Sequence, residues 1–199
     1  MLKIVLQGKR PRIYAKIAVL PFALSLVPIK LTMKNSESAP VIVYIGLGSN
    51  LAEPVSQINS AHTAIASIVG VQELSFSSLY QSLPMGPQDQ PDYVNAVMCV
   101  ATDLLPMDLL HCLQNIENDQ GRVRKGERWG ARTLDLDILI YGDQEIDLPD
   151  LTIPHKGLTE RSFVLYPLFE IAPQLLVPGK GPIADLVAKC PLSGLRRMD

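Results

Sequence analysis

Two aspartates at a spacing of two, Asp135 and Asp137, interrupt the apolar run Thr133–Tyr141 (TLDLDILIY). In a strand, positions i and i+2 project to one face about 6.6 Å apart. Both carboxylates then stand together, while Leu134, Leu136 and Ile138 turn to a core. The run therefore demands a sheet with one packed face and one face presenting charge. Aspartate is a poor strand former, and like charges on one face are costly unless something positive lies between them. A solvated strand face would tolerate the pair, and a divalent cation would explain it. Hard cations choose carboxylate oxygens and leave positions for substrate phosphates. Asp135 and Asp137 are the candidate magnesium ligands.

The segment just before this strand, GRVRKGERWGAR, carries Arg122, Arg124, Lys125, Arg128 and Arg132. Residues 41–199 hold eleven Lys/Arg against nineteen Asp/Glu, so nearly half of the body's basic residues fall in this one stretch. An acidic body argues against a general nucleic-acid binder, and a local basic cluster points to a small polyanion. Arginine forks bind phosphate oxygens bidentately. Three glycines make the segment a loop, and Trp129, the chain's one tryptophan, reads as a lid residue over a ligand. A basic loop followed by Asp-Leu-Asp suits metal-assisted phosphoryl transfer from a nucleoside triphosphate. No G-x-x-x-x-G-K-[ST] occurs, which excludes a P-loop enzyme.

The rest of the body supplies the frame. Val41–Leu47 reads as a buried strand, and Gly46, Gly48, Ser49 and Asn50 as the turn after it. A helix is expected from Pro54, with Val55, Ile58, Ala61, Ile65 and Ile68 at helical spacing, ending at Gly70. Gln72–Tyr80 alternates as a second strand, and the proline-rich residues 82–91 form a long loop. Tyr93–Ala101 is a third strand, with Tyr93, Asn95, Val97 and Cys99 on one face. Pro106 opens a second helix that ends at Gly121. Its stripe is Leu109, Leu110, Leu113 and Ile116, and Gln114 and Glu117 lie together away from that stripe. The order is β-α-β-β-α-β, the ferredoxin-like α+β plan, with two helices on one face of an antiparallel sheet and the other face left for a ligand. A hairpin over 145–153, a helix over 160–171 interrupted by Pro167, and a last helix over 183–189 follow. Three scattered cysteines give neither a disulfide framework nor a zinc spacing.

Residues 1–40 differ sharply, with seven Lys/Arg and one acid. An apolar run from Ile17 to Ile29, broken by two prolines, is too short to span a bilayer, which takes about 20 apolar residues. It has the outline of a secretory signal. The preferred reading is upstream sequence before a start at Met33, with a docked tail and true targeting as alternatives. The body over 41–199 is the functional domain, and its expected compartment is the cytoplasm.

Four blocks in order, YIGLGSNL, GPQDQPDYVNAV, GRVRKGERWGARTLDLDILIYGD and LTIPH followed by ERSFVLYPLFEIAP, resemble the 6-hydroxymethyl-7,8-dihydropterin pyrophosphokinases of folate biosynthesis. These enzymes move a diphosphate from ATP to a pterin alcohol. The resemblance implies that Asp135 and Asp137 bind two Mg²⁺ ions bridging the ATP phosphates. It implies that Arg122 and Arg132 engage those phosphates in the transition state, with Arg124 and Lys125 nearby and Trp129 closing over the site. Gln114, Glu117, Ile138, His155 and Arg161 fall at positions that contact ATP. Tyr93 and Phe163 resemble the two rings that sandwich the pterin, and Asn95 the amide that reads its polar edge. Ser82 and Met85 match positions that meet the pterin largely through backbone. Leu83 and Lys156-Gly157 depart from the usual pattern.

The implied reaction is in-line attack of the pterin hydroxymethyl oxygen on the β-phosphorus of ATP, giving AMP and the pterin diphosphate. Expected partners are the two small substrates, with neither nucleic acid nor membrane, and a monomer. No second catalytic domain is expected. Two rival classes share the element order or the nucleotide site. An RNA-binding sheet would need the RNP1 pattern, which YVNAVMCV lacks, and Asp135 and Asp137 would repel a phosphate backbone without metal. An inactive nucleotide-binding regulator would not need the acidic pair and arginines intact.

Overall fold

The computed structural model describes residues 39–122, 130–192 and 194–198; the N-terminal extension, most of the basic loop including Arg124, Lys125 and Trp129, and two C-terminal positions lie outside them. The apolar, β-branched start of the body becomes β1 (Val41–Ser49), the hub of the sheet. It pairs antiparallel with β4 (Tyr93–Thr102) on one side and β5 (Asp135–Tyr141) on the other. On its outer edge β4 carries β2 (Val71–Phe76) and β3 (Tyr80–Ser82), and β3 in turn pairs with β10 (Arg196–Arg197). With β2 and β3 sharing one place, the order is that of the ferredoxin-like plan.

The expected single strand over 72–80 breaks at 77–79. Ser77 Oγ accepts from the Val97 amide at 2.9 Å, and the Ser77 amide donates to the Val97 carbonyl at 3.0 Å. A side chain that competes with the ladder in this way ends regular pairing. The glycine-rich end of the first strand also differs from expectation. Gly46, Gly48 and Ser49 do not turn the chain but remain in β1, the two glycines paired to both neighbours and Ser49 to β4.

Helices α1 (Pro54–Ala66) and α2 (Pro106–Asp119) each open on proline at the first turn, where its missing N–H costs nothing. They bury Ile58, Ala61, Ile65, Leu109 and Leu113 against Val43, Ile45 and Leu47 of β1. The opposite face is less open than the sequence suggested. Helices α3 (Ser162–Ile171) and α4 (Ile183–Lys189) close over it, packing Val164, Leu165, Leu168 and Ile183 on Val97, Leu139 and Ile140. Pro167 does not interrupt α3. Three buried aliphatic side chains at about 1.5–3 kcal/mol each outweigh the roughly 3 kcal/mol that an interior proline costs. What stays open on this face is its end nearest the start of α3.

A shift of register places Ile45 opposite Ile138 but Tyr44 opposite Ile140, so Leu139 is an extra residue in β5. Such a bulge reverses the facing of everything after it. Before it, Asp135 and Asp137 face the open end; after it, Ile140 joins Leu139 in the second core. Short hairpins, β6 (Ile146–Leu148) with β7 (Leu151–Ile153) and β8 (Leu176–Val177) with β9 (Gly181–Pro182), complete the chain. No helix among the described residues is long and apolar enough to cross a membrane.

Candidate active site

The open end of the sheet is a cavity of about 310 Å³. Its floor is the ends of β1, β4 and β5, which bring Gly46, Gly48, Tyr93, Asn95, Asp135 and Asp137 onto one surface. Register explains the glycines: Gly48 sits opposite both Asn95 and Asp135, and Gly46 opposite Asp137. A Cβ on Gly48 would stand 3.4 Å from the Asn95 side-chain oxygen, and one on Gly46 would stand 3.3 Å from Leu139. Any side chain there would fill the floor between the amide and the carboxylates. The sequence reading took these glycines for turn residues. The overlooked signal was their spacing of two beside a strand with aspartates at the same spacing.

One wall is the loop after β3, through Ser82, Leu83, Met85 and Gly86; the opposite wall is His155, Arg161 and Phe163, leading into α3. Ser82 and Asn95 are both buried, and the Asn95 amide nitrogen donates to Ser82 Oγ at 3.0 Å and to the Tyr80 carbonyl at 3.4 Å. The amide is thereby fixed, with its oxygen toward Gly48. Tyr93 reaches across to the end of the basic loop, where its hydroxyl donates to the Gly130 carbonyl at 3.0 Å. Burial, with Asp135 in support, raises the Tyr93 phenol against the pull of Arg132 and Arg122, so the ring stays neutral.

Charge is paired across the cavity floor. Asp135 accepts from Arg132 Nη1 at 2.7 Å and pairs with Arg122 Nη1 at 2.8 Å. Burial alone would lower the Arg132 guanidinium, but Asp135 more than reverses this and its charge is secure. Asp137 lies two residues further along β5, 3.7 Å from His155 Nε2. Loss of solvation raises its carboxyl, the Asp135 charge adds to that, and His155, Arg161 and Arg122 pull the other way. His155 Nδ1 accepts from the Gly157 amide at 3.2 Å, which leaves the Nε2 proton on the side of Asp137. Arg161 folds back over Gly157, where a Cβ would come within 2.3 Å of Nε, and its guanidinium lies 6.0 Å from the Phe163 ring centre. The departure from the familiar pattern at Lys156-Gly157 is thus the space into which Arg161 fits.

Three expected nucleotide contacts sit apart from this cavity. Gln114 is half-buried on α2, and Ile138 is in the first core. Glu117 is not on an open face of α2 but 2% exposed beneath β5. Its Oε1 accepts from the Leu136 amide at 2.8 Å and from the Arg122 guanidinium. Helix periodicity put it beside Gln114 and could not show that Arg122 would follow it into the interior. Sequence reasoning also missed Asn50. Its Oδ1 accepts from the Arg132 amide at 2.7 Å, while Nδ2 donates to the Gln90 side chain at 3.1 Å and the Pro91 carbonyl at 3.0 Å. One buried amide therefore ties the proline-rich loop to the end of the basic loop.

Asp135 and Asp137 present hard oxygen donors on one surface, the donor chemistry magnesium takes. Among the described residues no cluster of three or more His, Cys, Asp and Glu surrounds a metal position.

Over 156 residues the chain is 50% identical to a Pseudomonas aeruginosa 2-amino-4-hydroxy-6-hydroxymethyldihydropteridine pyrophosphokinase, covering 78% of this chain and 96% of that protein. Over 147 residues it is 53% identical to the Haemophilus influenzae protein of the same name, covering 74% and 91%. Among solved structures, wild-type Plasmodium falciparum HPPK-DHPS with pteroate superposes with a TM-score of 0.61 at 16% identity. That likeness covers 77% of this chain and only 43% of the longer one, and it bears on fold alone. Residues 44–173, which hold every residue of the cavity floor, match the 7,8-dihydro-6-hydroxymethylpterin-pyrophosphokinase family, and the chain belongs to it.

Proposed function

We propose that the cavity binds a flat pterin between Tyr93 and Phe163 and the polyphosphate of ATP beside Asp135, Asp137 and the arginines. The chain is an ATP-dependent diphosphotransferase of folate biosynthesis, acting on a hydroxymethyl dihydropterin. The observation that carries the site reading is the meeting of two aromatic rings, a fixed amide and paired carboxylates and arginines in one cavity.

An aromatic slot holds a flat heterocycle by its faces, and the Asn95 side-chain oxygen offers an acceptor to its edge while its nitrogen is held by Ser82 and the Tyr80 carbonyl. Ser82 and Met85 close the slot from the loop side. Arg122 and Arg132 lie where phosphate charge would gather, held in place by Asp135 and, for Arg122, by Glu117. Arg161 and His155 extend the positive wall. The pterin hydroxymethyl oxygen attacks the β-phosphorus of ATP in line, and AMP leaves. The protein's share is position and preorganised charge rather than covalent chemistry. Asp135 and Asp137 would hold magnesium, two ions in this reading, which when bound neutralises the phosphates and polarises the β-phosphorus. Arg124, Lys125 and Trp129, on the basic loop, would close over the nucleotide. Gln114, Glu117 and Ile138 would support the adenosine side of the site from α2 and β5. The reading includes a monomer in the cytoplasm with small-molecule partners only.

The test is product analysis. Purified chain, ATP, Mg²⁺ and 6-hydroxymethyl-7,8-dihydropterin should yield AMP and pterin diphosphate in equal amounts. ATP loss that ignores the pterin, or ADP as the nucleotide product, would overturn the assignment.

A further inference from the structure

Residues 194–198 lie beyond the family match at 44–173, yet they are built into the loop wall of the cavity. Strand β10 pairs with β3, Arg196 opposite Gln81 and Arg197 opposite Tyr80, and the Met198 amide donates to the Leu79 carbonyl at 2.8 Å. The Arg196 guanidinium donates to Gln81 Oε1 at 2.7 Å, and Gln81 Nε2 donates to Asp92 Oδ2 at 2.8 Å. Gln81 precedes the proline-rich loop and Asp92 follows it, so this relay spans the loop's two roots. Gly194, at φ +67°, lies under Leu83, where a Cβ would come within 2.8 Å of Cδ1 and 3.0 Å of Cγ. Leu83 is half exposed and lines the cavity. Between these two anchors stands Ser82, which holds the Asn95 amide.

We propose that the segment Gly194–Met198 is a positioning element for the pterin side of the cavity, acting on the loop through Gln81 and Leu83. It touches no substrate. Its effect is to hold the loop roots, and hence Ser82 and Asn95, as the ring enters; without it, binding must order the loop as well. The Arg196 side chain is exposed and its bond to Gln81 lies at the surface, where such contacts add little to global stability. Positioning and stability are therefore separable here. The proposal rests on the pterin reading given above.

The test uses the full chain with Arg196→Ala, Gln81→Ala and their combination, plus Arg196→Lys and Gly194→Ala. Pterin KM is expected to rise about 5- to 20-fold in Arg196→Ala, with kcat and the ATP KM within about two-fold. The double variant should be no worse than the worse single, because both remove one relay. Arg196→Lys should recover most of the loss, and Gly194→Ala should raise pterin KM by displacing Leu83. Amide exchange at 83–91, measured without substrates, should quicken in Arg196→Ala. Unchanged pterin KM, additive losses in the double variant, or a parallel rise of both KM values with a falling melting temperature would overturn the proposal. So would unaltered exchange at 83–91. A wild-type chain that turns over no pterin overturns the underlying reading instead, and the exchange experiment keeps the two failures apart.

Discussion

Replacing Glu117 separates a buried brace from a nucleotide contact. The carboxylate is 2% exposed, and its partners among the described residues include the Leu136 amide, between the two aspartates of β5, and the Arg122 guanidinium. Removing one member of a buried ion pair costs about 3–5 kcal/mol. The lower end applies, because Arg122 keeps Asp135 at 2.8 Å. An orphaned amide at Leu136 adds about 1 kcal/mol at the low end of its range, giving roughly 4 kcal/mol for Glu117→Ala. At about 2–4 °C per kcal/mol for a domain of this size, its melting temperature should fall by about 8–16 °C. Glu117→Gln keeps an acceptor for Leu136 and loses only the charge, so a fall of about 2–6 °C is expected. Calorimetry on both variants, with ATP and pterin KM beside it, is the assay. If Glu117→Ala melts within about 2 °C of the parent while its ATP KM rises, the burial argument is wrong and the residue serves the nucleotide directly.

Gly157→Ala should spare stability, since what meets the new methyl is the flexible end of Arg161 rather than backbone; the ATP KM should rise several-fold, and an unchanged value would remove Arg161 from the site. Glu170 sets a pH dependence. Loss of solvation raises its carboxyl, but hydrogen bonds from Ser78 and Tyr80, with the Arg197 charge, bring it below the ordinary 4.5. A depressed folded value means stability that is present above the unfolded value and lost as pH falls through the folded one. The melting temperature should therefore decline less steeply between about pH 5 and pH 3 in Glu170→Gln than in the parent, and identical slopes would show that the network contributes nothing. A chain begun at Met33 should match the full chain in turnover and melting temperature; a marked loss in either would make residues 1–32 part of the enzyme.

The frame and the chemical core of the site were legible because both rest on short-range rules. Period-two alternation put Asp135 with Asp137 and Tyr93 with Asn95, and one fold plan joins those strands. What stayed hidden depends on pairing between distant segments. The bulge at Leu139 is visible only against β1, and it decides that Leu139 and Ile140 both face α3. Glu117 was misplaced because helix periodicity ranks a carboxylate as outward, and only its partners, 5 and 19 residues further on, repay its burial. Asn50, bonded across 41 and 82 residues, gave no local signal at all. The covering of the second face by α3 and α4 needed tertiary packing to be seen. The strand β10 is two residues long, too short for any pattern to announce it.

The most direct test of the central claim is diphosphate transfer by Asp137→Asn across a Mg²⁺ titration, with melting temperature measured on the same preparation. Asn is nearly isosteric and removes a charge that loss of solvation and the neighbouring Asp135 make costly. The fold should hold or gain slightly in stability, pterin should still bind, and turnover should fall by at least about a hundredfold, with residual activity shifted to higher Mg²⁺. Near-parental turnover with an unshifted Mg²⁺ dependence would contradict the account, and a protein that fails to fold would make Asp137 a structural residue.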